Sequence, residues 1–254
     1  MPIYNRAYCL PDAVRSVVDQ TYENWELVIV DDGSDDSREV VRILQSFDDE
    51  RIRYRRFEHT GNISQVRNAG CEMAEGEIIA VHDSDDMAFP NRLSEIEKAL
   101  DKDTDVVYHG MYIRSHDEIH NAVARNHKPA QPFNKNRLLK EQYIPGQIAF
   151  TKNTWEEVKY DEDFPLMDDW VFLIDLVMAG KRFKPIDKDL YEYVSLKDSV
   201  NINGEADGRR KTDTERLIRK LKDKYGITAT AEMFKHTLTA DNPDFVNKLK
   251  EITK

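Results

Sequence analysis

Short apolar runs alternate with amphipathic stretches from the start of the chain. Ala13, Val14, Val17 and Val18 recur at helical spacing behind Pro11, a residue suited to a helix's first turn. Residues 25–30 (WELVIV) are short, β-branched and stopped by Asp31-Asp32-Gly33-Ser34, which predicts a buried strand. A helix follows at 37–46 with Val40, Val41 and Leu44 on one face, then a short strand at 51–57. A helix at 64–74 closes at Glu75-Gly76, where Gly76 is expected to supply a positive φ. Residues 77–81 predict a second buried strand, 90–100 a helix and 105–108 a further strand. Strands alternating with helices imply parallel βαβ units with helices on both faces, an α/β fold.

From 113 to 142 the pattern dissolves into polar and basic residues with Pro129 and Pro132, which predicts a long functional loop. Apolar pattern resumes at 148–150 and in a helix at 169–178 stopped by Gly180. Residues 205–254 read as a charged, helical tail. Its stretch 209–224 carries eight Lys/Arg against three Asp/Glu, with Leu217, Ile218, Leu221 and Tyr225 forming an apolar stripe. The expected division is 1–110 and 111–200 as two halves of one domain, then 201–254 as a helical extension. A net charge of −11 argues against a nucleic-acid binder. Cys9 and Cys71 are the only cysteines, which excludes a disulfide scaffold and a Cys-based zinc finger and fits a reducing compartment. No apolar run is long enough to span a bilayer and no charged-then-apolar leader opens the chain, so a cytoplasmic protein is expected.

Ligands of open α/β sheets sit at the carboxyl ends of the strands. Two predicted strands end there in carboxylates: Asp31-Asp32, and Asp83, Asp85 and Asp86. Adjacent carboxylates ionise together only with a cation or donors nearby. Spaced one residue apart, they suit a hard divalent ion that completes its shell with water and substrate phosphates. Solvated turns and helix caps use Asp as well, but two clusters on successive strands favour the ligand reading. A third patch, Asp161-Glu162-Asp163 then Asp168-Asp169, fits either a helix cap or a general base. No phosphate loop, G-x-G-x-x-G, G-x-S-x-G or H-E-x-x-H occurs. Of the seven histidines only His82, beside the Asp cluster, invites a role.

Pro2-Ile3-Tyr4-Asn5-Arg6, Gln20-Thr21-Tyr22, Val30-Asp31-Asp32-Gly33-Ser34, Arg67-Asn68-Ala69-Gly70, Glu75-Gly76-Glu77 and Asp83-Ser84-Asp85-Asp86 stand in an order that resembles the family 2 glycosyltransferases. These are inverting nucleotide-sugar enzymes of the GT-A fold, and the resemblance covers about residues 1–180. Tyr160-Asp161-Glu162 followed by Asp168-Asp169-Trp170 resembles the family's acceptor-side motif more loosely. The resemblance implies a GT-A sheet with a C-terminal helical extension. It also implies transfer of a sugar from a nucleotide-diphosphate donor, by default a UDP-sugar, to a glycan or lipid-linked acceptor.

The implied roles fall residue by residue. Pro2, Tyr4 and Asp32 would hold nucleobase and ribose, and Arg67 would help close the nucleotide pocket. Asp85 would bind Mn²⁺ or Mg²⁺ on the diphosphate, with Asp83 near the ribose or the metal's waters. Asp169 aligns with the general base, and Asp168 and Trp170 with acceptor contacts. One base and one metal fit a single displacement with inversion.

The family carries an apolar strand before its Pro-x-Tyr-Asn-Arg segment, in mid-sheet, and here that segment stands at the first residue. Either upstream residues or another segment is expected to fill that place, since two backbone ladders would otherwise be exposed. The acceptor motif reads Asp-Asp where Glu-Asp is commoner. Residues 113–142 are expected to act as a lid over the acceptor. The basic stretch 209–224 either rests peripherally on anionic lipid at the inner face of the membrane or packs as a helix on the domain. A non-catalytic nucleotide-sugar-binding protein is the alternative from another class. A phosphoacceptor signalling domain is disfavoured by length and leaves Asp169 without a role.

Overall fold

The computed structural model describes residues 1–117, 122–196 and 209–228. β1 (Pro2–Ile3), β2 (Leu27–Asp31) and β3 (Ile52–Arg56) form a parallel three-stranded sheet in that order. All five residues of β2 are buried because both faces are covered. Ile3, Leu27 and Ile29 pack under α1 (Leu10–Val18) and α2 (Ser37–Gln45), against Leu10, Val14, Val17 and Val40. Val28 and Val30, one residue out of phase, meet Val66 of α3 (Ile63–Met73). The Asn62 side chain caps α3 by accepting the N–H groups of Ser64 and Gln65. Gly76 is not among the positive-φ residues. The helix instead leaves through Ala74 in extended geometry, and the Gly76 N–H donates to Glu26.

The second sheet has the order β4 (Ile78–Ala80), β8 (Ala149–Thr151), β6 (Val106–Asp117), β9 (Phe183–Ser195) and β5 (Met87–Ala88). β7 (Ala122–Lys128) also pairs with β6. Only β6–β9 is parallel, so this sheet is mixed rather than mostly parallel. The strand expected at 105–108 runs on to Asp117 and turns back as β7, so part of the region expected to be loop is a hairpin. Long-range pairing decides this: residues 111–115 lie between β9 and β7, a partnership no local pattern displays. β4 is only half-buried, with Ile78 36% exposed, because it ends its sheet. No ladder joins the two sheets among the described residues.

Ile96 of α4 (Arg92–Ala99) covers one face of the second sheet at Val107, Ala149, Ile186 and Leu190. The other face, at Val106, Tyr108 and Phe150, meets α7 (Asp168–Met178), with α5 (Lys135–Leu138) and α6 (Lys152–Glu157) at its margins. α8 (Arg209–Tyr225) packs Leu217, Ile218 and Leu221 into the same core. Lys220 Nζ lies 2.6 Å from Asp161 and 2.5 Å from Asp175, and Arg216 lies 3.0 Å from Asp213. Leu217, Ile218 and Leu221, with Lys220 paired to Asp161 and Asp175, hold this stretch as a helix packed on the domain. No described helix is long and apolar enough to cross a membrane. Residues 201–208 and 229–254 of the expected extension lie outside the described residues.

Candidate active site

The carboxyl end of β2 is built from self-capping loops. Asp31 is buried; its Oδ1 accepts the Ser34 N–H at 2.7 Å and its Oδ2 the Tyr54 hydroxyl at 2.5 Å. It shapes the turn. Asp32 Oδ1 accepts Thr60 N–H and Oγ1 at 2.8 and 2.9 Å, and Oδ2 accepts Gly61 N–H at 2.9 Å. His59 Nδ1 donates to the Asp32 carbonyl at 2.8 Å and lies 3.0 Å from Oδ2. This close approach requires Gly33: its φ is +78°, and a Cβ there would stand 2.7 Å from His59 N. The His59 ring stacks on Tyr4, centroids 4.2 Å apart and 14° from parallel, and Tyr4 is 43% exposed. Tyr4, His59 and Asp32 thus form an aromatic platform beside a carboxylate. Pro2 lies in β1 opposite Val30.

The Asp83–Asp86 turn divides its labour. Asp86 is fully buried; its Oδ1 accepts the Val194 N–H at 2.8 Å. Burial, with the charges of Asp83 and Asp85 adding to it, holds this carboxyl well above its usual range, so Asp86 is a structural acid. Asp83 Oδ2 accepts Gln147 Nε2 at 2.9 Å, while Oδ1 lies 3.1 Å from Arg67 Nη2. Burial opposes its charge, but Arg67 and Gln147 together hold its pKa below the ordinary value. Asp85 is partly exposed, with Arg6 Nε 3.9 Å away. The Asp83 N–H donates to the Tyr191 hydroxyl, which reaches His82 Nδ1 at 2.8 Å, and His82 Nε2 lies 3.2 Å from the Ala13 carbonyl. Burial, then the charge of Arg92, brings His82 down to about 3. His82 is a neutral strut beneath the turn.

Arg67 joins this turn to α7. Its Nε donates to Asp168 Oδ2 at 2.6 Å while Nη2 meets Asp83. Burial works against the guanidinium charge, and Asp83 and Asp168 more than offset it. Burial pushes Asp168 up to about 6, with Arg67 opposing and Asp169 and Asp83 adding. Asp169, the next residue of α7, accepts its neighbour's Trp170 N–H on Oδ1 at 2.7 Å and Gln142 Nε2 on Oδ2 at 2.6 Å. Gly146 leaves room for it, since a Cβ there would lie 2.8 Å from Asp169 Oδ2. The first turn of α7 also favours these anions electrostatically.

The structure thus brings Arg67, Asp83, Asp168 and Asp169 together, and Asp85 shares the turn of Asp83. Arg67 lies between the carboxylates of Asp83 and Asp168. Trp170 is turned away: it is fully buried and its indole N–H donates to the Leu138 carbonyl at 2.8 Å. It is a core residue with no surface for an acceptor, because the third position of this helix start faces the sheet. His59, Gln142 and Gln147 escaped the sequence reading; each lies on a loop whose partner is at least 27 positions away, so no spacing marks it.

Among the described residues no three His, Cys, Asp or Glu side chains converge as a protein-only metal cage. A hard divalent ion that takes phosphate and water ligands needs only one or two carboxylates. Asp85, a partly exposed carboxylate on the same turn as Asp83, has that chemistry.

Residues 1–162 match the family model "Glycosyl transferase family 2". The chain is 28% identical over 190 residues to the putative colanic acid biosynthesis glycosyl transferase WcaA of Escherichia coli (strain K12), covering 72% of this chain and 67% of that one. It is 35% identical over 113 residues to glycosyltransferase GlyG of Streptococcus pneumoniae, covering 44% and 38%. It is 32% identical over 141 residues to UDP-Glc:alpha-D-GlcNAc-diphosphoundecaprenol beta-1,3-glucosyltransferase WfgD of Escherichia coli, covering 55% and 53%. The matched stretch therefore spans about a third to two thirds of these relatives. Among solved structures, S. aureus TarS 1-349 in complex with UDP-GlcNAc superposes with a TM-score of 0.67 at 15% identity, covering 99% of this chain and 78% of that one. Mannosyltransferase PcManGT from Pyrobaculum calidifontis, in complex with GDP-Man and Mn²⁺, gives 0.61 at 15% identity, covering 99% and 72%. The fold is that of the GT-A glycosyltransferases.

Proposed function

The chain belongs to glycosyl transferase family 2, and from that premise we propose that it is a metal-dependent inverting transferase that moves a sugar from a nucleotide diphosphate to an acceptor hydroxyl. The observation that carries the reading is Arg67: one guanidinium bonds Asp83 on the donor side and Asp168 beside Asp169 on the acceptor side. Donor and acceptor carboxylates are thereby within one side chain's reach. The nucleobase stacks on the Tyr4–His59 platform, with Asp32 accepting from its edge. Asp85 would hold Mn²⁺ or Mg²⁺, which supplies positive charge where the diphosphate leaves. Asp169 takes the proton of the acceptor hydroxyl as that oxygen attacks the anomeric carbon. The bond to the diphosphate breaks with its electron pair passing to the leaving oxygen, and the anomeric configuration inverts.

A UDP-sugar donor is supported by the UDP-Glc in the printed name of WfgD and by the UDP-GlcNAc bound to TarS. The diphosphoundecaprenol acceptor named for WfgD supports a lipid-linked or glycan acceptor in polysaccharide biosynthesis. The test is a panel of UDP-sugars and lipid-linked acceptors read by NMR of the new linkage. Inverted anomeric configuration, with Asp169→Asn losing about 10²–10⁴-fold in rate and none in UDP affinity, is expected. Intact nucleotide binding without transfer across the panel would instead identify a non-catalytic binding protein.

A further inference from the structure

Residues 122–140 hold five Lys or Arg and no Asp or Glu, in a chain whose net charge is −11. Four of these cations have evident places. Arg125 Nε lies 2.8 Å from Glu192, Arg137 Nη2 lies 2.9 Å from Glu141, and Lys135 and Lys140 are exposed to solvent. Lys128 differs: it is half-buried and makes no ion pair among the described residues. Strand register aims it. On β7, Lys128 stands opposite Met111 of β6, which stands beside Tyr191 of β9. Opposed residues of paired strands share a face, so the three form one row. Met111 and Tyr191 are buried together with Ala88, and the Tyr191 hydroxyl accepts the Asp83 N–H. The row therefore runs along the face of the sheet that carries the site. Neighbouring residues fix its end. His127 points to the other face, with Nε2 2.9 Å from Asp189 and its ring stacked on Tyr112. Beyond Lys128 the chain presses on β6, where a Cβ on Gly110 would stand 3.1 Å from Ala130 N and 3.2 Å from Pro129 Cα. The Tyr108 hydroxyl then donates to the Gln131 carbonyl at 2.6 Å.

We propose that Lys128 is an acceptor-specificity residue: it holds a phosphate group carried by the acceptor, beside the hydroxyl that Asp169 deprotonates. The inference rests on the transferase reading of this site and names the chemical class of its acceptor. Burial lowers the Lys128 ammonium from its ordinary 10.5; of the neighbouring charges Asp169 opposes this most, then Glu141, while Arg137 adds to it. These charges stand at the acceptor end. Asp169 lies in the first turn of α7, and Glu141 precedes Gln142, whose Nε2 donates to Asp169. Asp169 is thus close enough to act on Lys128 yet forms no ion pair with it. A desolvated cation without a counter-ion is costly, and a ligand anion seated against it removes that cost. A phosphate oxygen meets an ammonium through charge-assisted hydrogen bonds, which a neutral sugar hydroxyl does not match. Because the charges around Lys128 belong to the acceptor end, the anion is the acceptor's. The donor's diphosphate would go to Asp85 and its metal. Lys128 also offsets the repulsion between that phosphate and Asp169. The phosphate is either the diphosphate of a lipid carrier or a phosphoester of a polyol or glycan.

The test is calorimetry on the full chain saturated with UDP and Mn²⁺. The probes are sn-glycerol 3-phosphate and farnesyl diphosphate, with glycerol and farnesol as their uncharged counterparts. Lys128→Met is expected to weaken the phosphate probes at least about tenfold, and Lys128→Arg to keep most of the affinity. Arg125→Met, on the same strand but the opposite face, is expected to change it less than about twofold. A loss for farnesyl diphosphate alone assigns the phosphate to a lipid carrier, and a loss for both probes assigns it to a phosphoester recognised without lipid; each supports the proposal. No binding of either probe, equal affinity in the unaltered and Lys128→Met chains, or an equal loss in Arg125→Met overturns it. So does a loss of UDP affinity in Lys128→Met, which would put the lysine on the donor's diphosphate. If near-ultraviolet dichroism shows Lys128→Met misfolded, Lys128→Gln takes its place. UDP binding to the unaltered chain is the separate readout of the transferase reading. Where it is absent, the phosphate titrations run without nucleotide, and their dependence on Lys128 still decides this proposal.

Discussion

Replacing Arg67 by methionine keeps most of its volume and removes the charge between Asp83 and Asp168. Two enclosed carboxylates, held at 3.1 and 2.6 Å by that guanidinium, are then left facing each other. Breaking a buried pair by deleting one partner is destabilising by about 3–5 kcal/mol, because the remaining charge has nothing to offset its desolvation. The variant has a partial escape in protonation. Asp168 already stands at about 6, above its unfolded value, and loss of Arg67 moves it further up. A carboxyl raised in the folded state gives stability that is present below its unfolded pKa and lost as pH rises through the folded one. Urea denaturation of Arg67→Met should therefore show a loss of about 3–5 kcal/mol at pH 7.5, smaller by about 1–2 kcal/mol at pH 5. Adding Asp168→Asn should recover part of the loss at pH 7.5 and little at pH 5. A loss below about 1 kcal/mol, or one equal at both pH values, would refute the claim that Arg67 holds two charged carboxylates.

Gly33→Ala combines a positive φ with a Cβ 2.7 Å from His59 N, and should destabilise by about 1–3 kcal/mol in denaturation while weakening nucleotide affinity. Gly146→Ala displaces the Asp169 carboxylate, 2.8 Å from the new Cβ, and should lower kcat by about 10²-fold with UDP affinity unchanged in calorimetry.

The parts legible in the sequence were those whose cause is local. α1 follows from Pro11 and the spacing of Ala13, Val14 and Val17, and β2 from an unbroken β-branched run ended by Asp31-Asp32-Gly33. The ordered motifs singled out Asp83 and Asp85, which share one turn, and Asp169, which follows Asp168 on α7, without any contact being visible. What stayed hidden depends on distant partners. The β6–β7 hairpin looks like loop because its polar face is satisfied across strands, and β9 is bounded by neighbours rather than by its own pattern. Trp170 reads as a ligand contact by position, yet the phase of α7 against the sheet sends it into the core. β4 was expected to be buried, and its place at the end of its sheet leaves it half-buried.

The central claim, a nucleotide-diphosphate site assembled through a metal at Asp85, is tested most directly by calorimetric titration of UDP with and without Mn²⁺ on the full chain and on Asp85→Ala. Metal-dependent binding that the substitution abolishes, with the Tyr4–His59 platform intact by near-ultraviolet dichroism, is the predicted result. Binding of equal strength with and without Mn²⁺, or unchanged in Asp85→Ala, would contradict it.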